Sequence, residues 1–358
     1  GMLTKNIFYT KNLYNFFLFL SLTLFFFSTA KVQVKAFDIN NVEISKPFEI
    51  NFNKNKVIDE GFRKAFDELI YLIVNSSDQK KITKIKLNEI KGAIDSFSIK
   101  EEKFINETYF VNLGVSFNKK EIFRYLEKNN IFPSIPLKKN FLFIPIVIDE
   151  KNKDLLIFNN KIFKEWNNYS ESYHLINYLL PTEDLEDISL IKKNYDLIEE
   201  YDFKEIIDKY YLDNSIISLI FKNDNEVRVL SRILINKDVV LKNQTFSNLN
   251  IDNSNELKLL VKELKLIFED HWKKSNQINT SIKLPLNIRV KSSNNSKISK
   301  FEKTLKNTDL IYDFFISKFN KDHIYFEVIF NGTTDMFLKL MSANNFNFNT
   351  EKKIWILK

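Results

Sequence analysis

The densest cluster of chemistry-bearing side chains is acidic. Glu183, Asp184, Glu186 and Asp187 follow Pro181 in the segment Leu180-Pro181-Thr182-Glu183-Asp184-Leu185-Glu186-Asp187. Carboxylates at this density suit a divalent cation, which takes oxygen ligands. They also suit the first turn of a helix, whose free N–H groups carry partial positive charge. No glycine-spaced calcium loop surrounds them, so a helix start is the favoured reading. A metal-dependent hydrolase using carboxylates near Asp184 is the alternative. The three histidines, His174, His271 and His323, lie far apart and the chain has no cysteine. Zinc sites draw on closely spaced His and Cys ligands, and disulfides and thiolate nucleophiles need cysteine. His271 beside Trp272 reads as a helix-end residue. A Ser-His-Asp triad can assemble across any sequence distance, yet no Gly-x-Ser-x-Gly elbow occurs. With 5 glycines in 358 residues, a glycine-rich phosphate cradle has little material to form from. We therefore expect no catalytic residue, metal or cofactor.

The charge balance points the same way. The net charge is +7, but 53 basic and 46 acidic residues are interspersed. Nucleic-acid binders gather their basic groups on one face. Here arginine occurs only at Arg63, Arg124, Arg228, Arg232 and Arg289, and no nucleic-acid partner is expected. Apolar residues at 44% supply enough material for real cores. The wealth of Phe, Ile, Lys and Asn matches the codons of an AT-rich genome, which lowers the functional weight of those counts.

The first thirty residues have the layout of a secretory signal peptide. Lys5 and Lys11 precede the apolar run Phe16 to Phe27, and Ser28-Thr29-Ala30 supplies small residues for cleavage. The run is shorter than the roughly 20 residues of a spanning helix. The expectation is a leader over residues 1–30 and a periplasmic or envelope location, with an uncleaved anchor as the alternative.

These residues must be positioned by an α/β and α+β framework of three layered modules. The first (31–132) is organised around Asn53 to Val74. Ile58, Phe62, Ala65, Phe66, Leu69 and Ile73 there fall at the three-and-four spacing of a buried helix face. Gly61 inside this helix costs about 1 kcal/mol against Ala, which close packing of another element would explain. A strand at Phe37 to Ile44, a helix at Leu87 to Phe97, a hairpin of Phe97 to Ile105 with Tyr109 to Phe117, and a helix capped by Asn118 complete it. Pro133 and Pro136 mark Ile131 to Pro136 as a linker.

The middle module (137–275) begins with Phe141 to Ile148, apolar enough for a strand buried on both faces. A helix around Trp166, a strand at Tyr173 to Leu180, a helix at Phe203 to Tyr211 and a meander from Ser215 to Phe246 follow. Its last helix has the stripe Leu257, Leu260, Val261, Leu264, Phe268 and Trp272. The C-terminal module (280–358) reads β-α-β-β-α-β with a split last strand, a ferredoxin-like order. In it, Leu310, Tyr312, Phe314 and Ile316 alternate, then Ile324, Phe326, Val328 and Phe330.

The letters Glu60-Gly61-x-Arg63-x-Ala65-Phe66-x-x-Leu69 resemble a family of bacterial envelope proteins catalogued as domain of unknown function 2066. Leu156 to Trp166, with Phe158 and Phe163, is similar to that family's tryptophan-rich segment. Leu180 to Asp187 is similar to its proline, glycine and aspartate turn, with Thr182 or Glu183 where glycine is usual. The first two modules also resemble the amino-terminal and middle domains of the flagellar assembly protein T, the middle one being similar to a Tol-protein-B domain. The resemblance implies a signal peptide, an envelope location and no established activity. Gly61, Phe62, Arg63, Phe66, Trp166, Pro181, Asp184 and Asp187 are then expected to serve structure or partner contact. The resulting expectation is a non-enzymatic envelope scaffold or adaptor whose protein partners dock on sheet edges or exposed aromatics. A ligand sensor, with its site between the middle and C-terminal modules, is a further alternative.

Overall fold

The computed structural model describes residues 37–82 and 84–358; the expected leader over 1–30 lies outside the described residues. Alternating apolar residues build the first sheet from β1 (Asp38–Pro47), β2 (Ile94–Ile105) and β3 (Thr108–Phe117), in the antiparallel order β1-β3-β2. Helix α1 (Lys54–Ile73) covers it. The Asn53 side chain accepts from the amides of Asn55 and Lys56, and Val74 ends the helix in extended conformation. Phe62, Ala65, Phe66, Leu69 and Ile73 are buried, as the spacing predicts. A methyl added at Gly61 would overlap Leu113 Cδ1 of β3, so the glycine permits the close approach of helix and sheet. The short helices α2 (Ser76–Gln79) and α3 (Leu87–Gly92) and the helix α4 (Lys119–Lys128) close this part. The helix expected to reach Phe97 stops at Gly92, because Ile94 already pairs with Phe117.

The second sheet contains β4 (Lys139–Asp149), β5 (Asp154–Leu156), β6 (Ile176–Leu179), β7 (Ser215–Asn223), β8 (Glu226–Ile235) and β9 (Asp238–Ser247). Its order is β5-β4-β7-β8-β9, with β6 also pairing β4. Four helices belong to it: α5 (Lys161–Glu165), α6 (Leu185–Lys193), α7 (Lys204–Asp208) and the long α8 (Ser254–Ser275). β4 is buried on both faces. Phe141, Phe143 and Val147 join the core that includes Leu260, Leu264 and Phe268 of α8. Leu142, Ile144, Ile146 and Ile148 join Ile191, Phe203 and Ile206 on the opposite face. The helix expected from Phe203 to Tyr211 spans only Lys204–Asp208, with left-handed backbone at Phe203 and Tyr211 marking its limits.

The third sheet is ordered β11-β12-β10-β14-β13, from β10 (Leu284–Lys291), β11 (Ile311–Phe319), β12 (His323–Phe330), β13 (Phe348–Asn349) and β14 (Ile354–Leu357). β10 runs parallel to β14 and antiparallel to β12. Helices α9 (Asn295–Asn307) and α10 (Thr334–Ala343) supply Phe301, Leu305, Phe337 and Met341 to a separate core with Phe326 and Phe330. The alternation expected through Ile316 fails on β11. Register shifts at Ile311/Asp313 and Ile316/Lys318 turn the strand, and Ile316 is exposed.

The described chain is thus a mixed α/β structure with three sheets and about ten helices. One core runs without a break from Phe37 to Ile278 through the first sheet, α1 and α8. The expected linker is part of this body. The Ser134 amide donates to Ile73 O at 2.7 Å, the Ile135 amide to Asn276 O at 2.9 Å, and the Ile278 amide to Pro133 O at 2.8 Å. The C-terminal part is tied to α4. Lys119 Nζ donates to Thr308 O at 2.9 Å, and Lys120 pairs with Asp313 at 2.6 Å. Among the described residues, no helix is long and apolar enough to cross a membrane.

Candidate functional site, a cleft between two helices

The long helix α8 carries charge where its apolar stripe meets the rest of the molecule. Lys265, Glu269 and Lys273 are 1%, 4% and 3% exposed. Their four-residue spacing stacks them on one helix face. Each is held by backbone. Lys265 Nζ donates to Trp166 O at 2.8 Å and Tyr169 O at 2.9 Å. Glu269 accepts from the amides of Leu175 and Ile176 at 2.9 Å. Lys273 Nζ donates to Val74 O, the end of α1, at 3.1 Å. Asp270 adds a fourth tie, accepting from the Ser76 amide at 2.9 Å and from its hydroxyl. Buried charges survive only when paired and hydrogen-bonded in this way. The same carboxylate shortens a strand: the expected Tyr173–Leu180 strand begins only at Ile176, because Glu269 takes the amides just before and at its start.

Above these ties a cleft of about 690 Å³ opens between α1 and α8. Its walls come from four separate stretches: Arg63, Asp67 and Tyr71 of α1, Gln79 and Lys80 after it, Tyr173 and His174 before β6, and Lys262 and Leu266 of α8. Tyr71 and Tyr173 stack with ring centres 4.7 Å apart, forming an aromatic lip. Among the lining groups, cations (Arg63, Lys80, Lys262, Lys273) outnumber anions (Asp67, Glu269). Arg63 is anchored by two bonds to Ile85 O at 3.3 and 3.4 Å.

Burial sets the protonation of this site. Loss of solvent, aided by the charges of Lys265 and Lys273, pushes His174 down to about 4, so its ring is neutral at pH 7. Its Nδ1 accepts from the Glu171 amide at 3.3 Å, which leaves the ring proton on Nε2. Burial lowers Lys273 and raises Glu269, the latter against the pull of its two amides. Lys265 is pushed down to about 8 by the same cause. A hydrolytic triad needs histidine between serine and carboxylate. Here Ser76 donates straight to Asp270, and His174 is bound to backbone.

The residues singled out in the sequence do not converge on this cleft. Of them, only Arg63 and His174 line it. Phe62, Phe66 and Trp166 are buried in the continuous core, so they serve packing and offer no docking face. Trp166 stacks on Phe143 at 4.0 Å. Pro181 is buried. Asp184 caps α6 by accepting from the Glu186 amide, and that amide with the Lys209 side chain holds its carboxyl below the usual range. Lys209 Nζ stands 2.6 Å from Asp187 and 3.3 Å from Asp184. A cation from the protein itself thus occupies the centre of the acidic cluster. Among the described residues, no group of three or more His, Asp or Glu side chains is placed to hold a metal.

The cleft was hidden in the sequence because its walls join stretches up to about 200 residues apart. The one available signal was the run of Lys265, Glu269 and Lys273 beside an apolar stripe. The cleft lies between the first and middle parts, not between the middle and C-terminal parts. No family model matches the chain, and no curated protein does.

Proposed function

We propose that the chain is a non-enzymatic adaptor of the bacterial cell envelope: a periplasmic scaffold of three modules, the last of them ferredoxin-like. The observation that carries this reading is the continuous core joining the first and middle parts, locked by Lys265, Glu269, Asp270 and Lys273 to backbone and to Ser76. Such a body holds its surfaces in fixed relation, which is what a scaffold must do. Exposed apolar side chains sit on edge strands, with Phe97 and Phe104 on β2 and Phe315 and Phe319 on β11. Exposed aromatic side chains of this kind anchor protein partners. The antiparallel order β11-β12-β10 with α9 and α10 supports the ferredoxin-like reading, and β14 departs from that pattern by running parallel to β10. The likeness of Gly61, Arg63, Phe66, Trp166 and Pro181 to the family of unknown function belongs to this proposal, as does the leader-like start of the chain.

The test is fractionation of cells followed by cross-linking of the envelope fraction. The expected result is an envelope-associated chain that cross-links to the same protein in repeated preparations, with loss of that product in Phe315→Ser/Phe319→Ser. A cytoplasmic chain, or a product indifferent to both phenylalanines, counts against it.

The cleft favours a second reading, a small-ligand sensor. Its volume falls in the range of ligand sites, and its stacked tyrosines and excess of cations suit an aromatic carboxylate. Titration calorimetry with benzoate and larger aryl carboxylates tests this. Binding lost in both Tyr173→Ala and Lys262→Glu supports it, and no binding across the series removes it.

A further inference from the structure

The edges of the three sheets are not equally protected. β2 slips register between Ile94 and Ser96 and between Ile99 and Glu101. β11 slips twice and β1 once. β5 has 3 residues and β13 has 2. Bulges and shortness are how sheets avoid pairing edge to edge. β9 has neither. Its 10 residues run in unbroken register against β8, from Asp238 opposite Ile235 to Ser247 opposite Glu226. Val239 and Leu241 are 56% and 60% exposed.

The hairpin geometry says which backbone groups face outward. The turn residues Asn236 and Lys237 both have positive φ, 49° and 76°, as in a two-residue type I′ turn. Such a turn closes on a pair that shares both hydrogen bonds, here Ile235 and Asp238. Bonding then alternates. Asp238, Val240 and Lys242 bond to β8, while Val239, Leu241, Asn243 and Thr245 turn their N–H and C=O groups to the open edge.

We propose that β9 pairs antiparallel with β9 of a second copy of this chain, about a two-fold axis at Val240. In this register Val239 lies opposite the partner subunit's Leu241 and bonds to it through the free backbone groups. Asp238 lies opposite the partner subunit's Lys242, and symmetry repeats the pair. Both belong to non-hydrogen-bonded positions, where strands approach most closely, at about 4.5 Å between Cα atoms. Among the described residues, neither Asp238 nor Lys242 has an ion-pair partner within the chain. The charges choose the register. An axis at Lys242 sets that lysine against its own copy. An axis at Leu241 leaves Asp238 facing the partner subunit's Gln244 and Lys242 facing the partner subunit's Val240. Only the Val240 axis forms two ion pairs while burying Val239, Val240 and Leu241 on both copies.

Because the chain has no cysteine, a single engineered one reports the register. In the full chain, Val240→Cys stands on the axis, within reach of a disulfide. Gln244→Cys would lie about 26 Å from its own copy, at roughly 3.3 Å per residue. Oxidation should cross-link Val240→Cys and leave Gln244→Cys without a cross-link. Adding Lys242→Asp to Val240→Cys should slow the cross-link about tenfold or more, since two attractive pairs become repulsive. The swap Asp238→Lys/Lys242→Asp should restore it. A urea midpoint matching the parent verifies that each exposed-site variant is folded. Equal cross-linking at 240 and 244, no cross-linking at 240, or a rate insensitive to the charge reversal and its swap overturns the proposal.

Discussion

Removing the Glu269 carboxylate should unlock the body where α8 holds the start of β6. In Glu269→Ala the amides of Leu175 and Ile176 lose their acceptor, and both residues are buried, at 1% and 5% exposed. A buried amide left without a partner costs about 1–3 kcal/mol. Lys265 and Lys273 also lose the carboxylate that offsets their buried charge. Breaking one member of a buried charged set costs about 3–5 kcal/mol, and we expect a loss in that range. It is a large share of the roughly 5–15 kcal/mol that holds a typical domain together. Glu269→Gln keeps one acceptor oxygen and should lose only about 1–2 kcal/mol. Glu263→Ala, on the exposed side of the same helix, should stay within about 0.5 kcal/mol. Urea denaturation followed by tryptophan fluorescence is a suitable assay, because Trp166 and Trp272 both pack in this core. A loss below about 1 kcal/mol for Glu269→Ala would refute the argument that this carboxylate locks α8 to β6. Replacing all three charges by apolar residues should not rescue stability. The carbonyls of Trp166, Tyr169 and Val74 and the two amides would still lack partners.

Three further outcomes follow from the same structure. His174 titrates lower in the folded chain than its ordinary value of about 6.5, so the stability it contributes is full above that pH and lost as pH falls toward 4. Between pH 7 and 4.5 the urea midpoint of the parent should therefore fall further than that of His174→Gln. Gly61→Val should destabilise by about 1–3 kcal/mol, since its side chain meets Leu113, measured by the same unfolding curves. Lys119→Ala removes the bonds to Thr308 and Asp309, and hydrogen exchange should rise in β11 while the first sheet is unchanged.

How much of this was legible in the sequence depended on the range of the interaction. α1 was readable because caps and a 3.6-residue stripe are local, and its limits fall at Asn53 and Val74 as expected. The apolar run within β4 and the meander β7 to β9 were legible for the same reason. The start of β6 was not, because a carboxylate about 94 residues away takes the amides of Leu175, just before it, and Ile176, at its start. The prolines near 133 read as a boundary, yet backbone bonds to Ile73, Asn276 and Ile278 hold that segment inside the body. The cleft stayed hidden since no one stretch encodes it. On α8 the apolar stripe was visible, but Lys265, Glu269 and Lys273 look like ordinary solvated charges until their backbone partners are known.

The most direct test of the adaptor reading is site-specific photo-crosslinking in living host cells. A photoreactive residue replaces Phe319 or Phe104 on edge strands in two separate variants, and Ile50, which is fully exposed outside the sheets, in a control. The account predicts that an edge site captures one envelope protein reproducibly and that position 50 does not. Capture of the same products at all three positions, or of none at either edge, would contradict it.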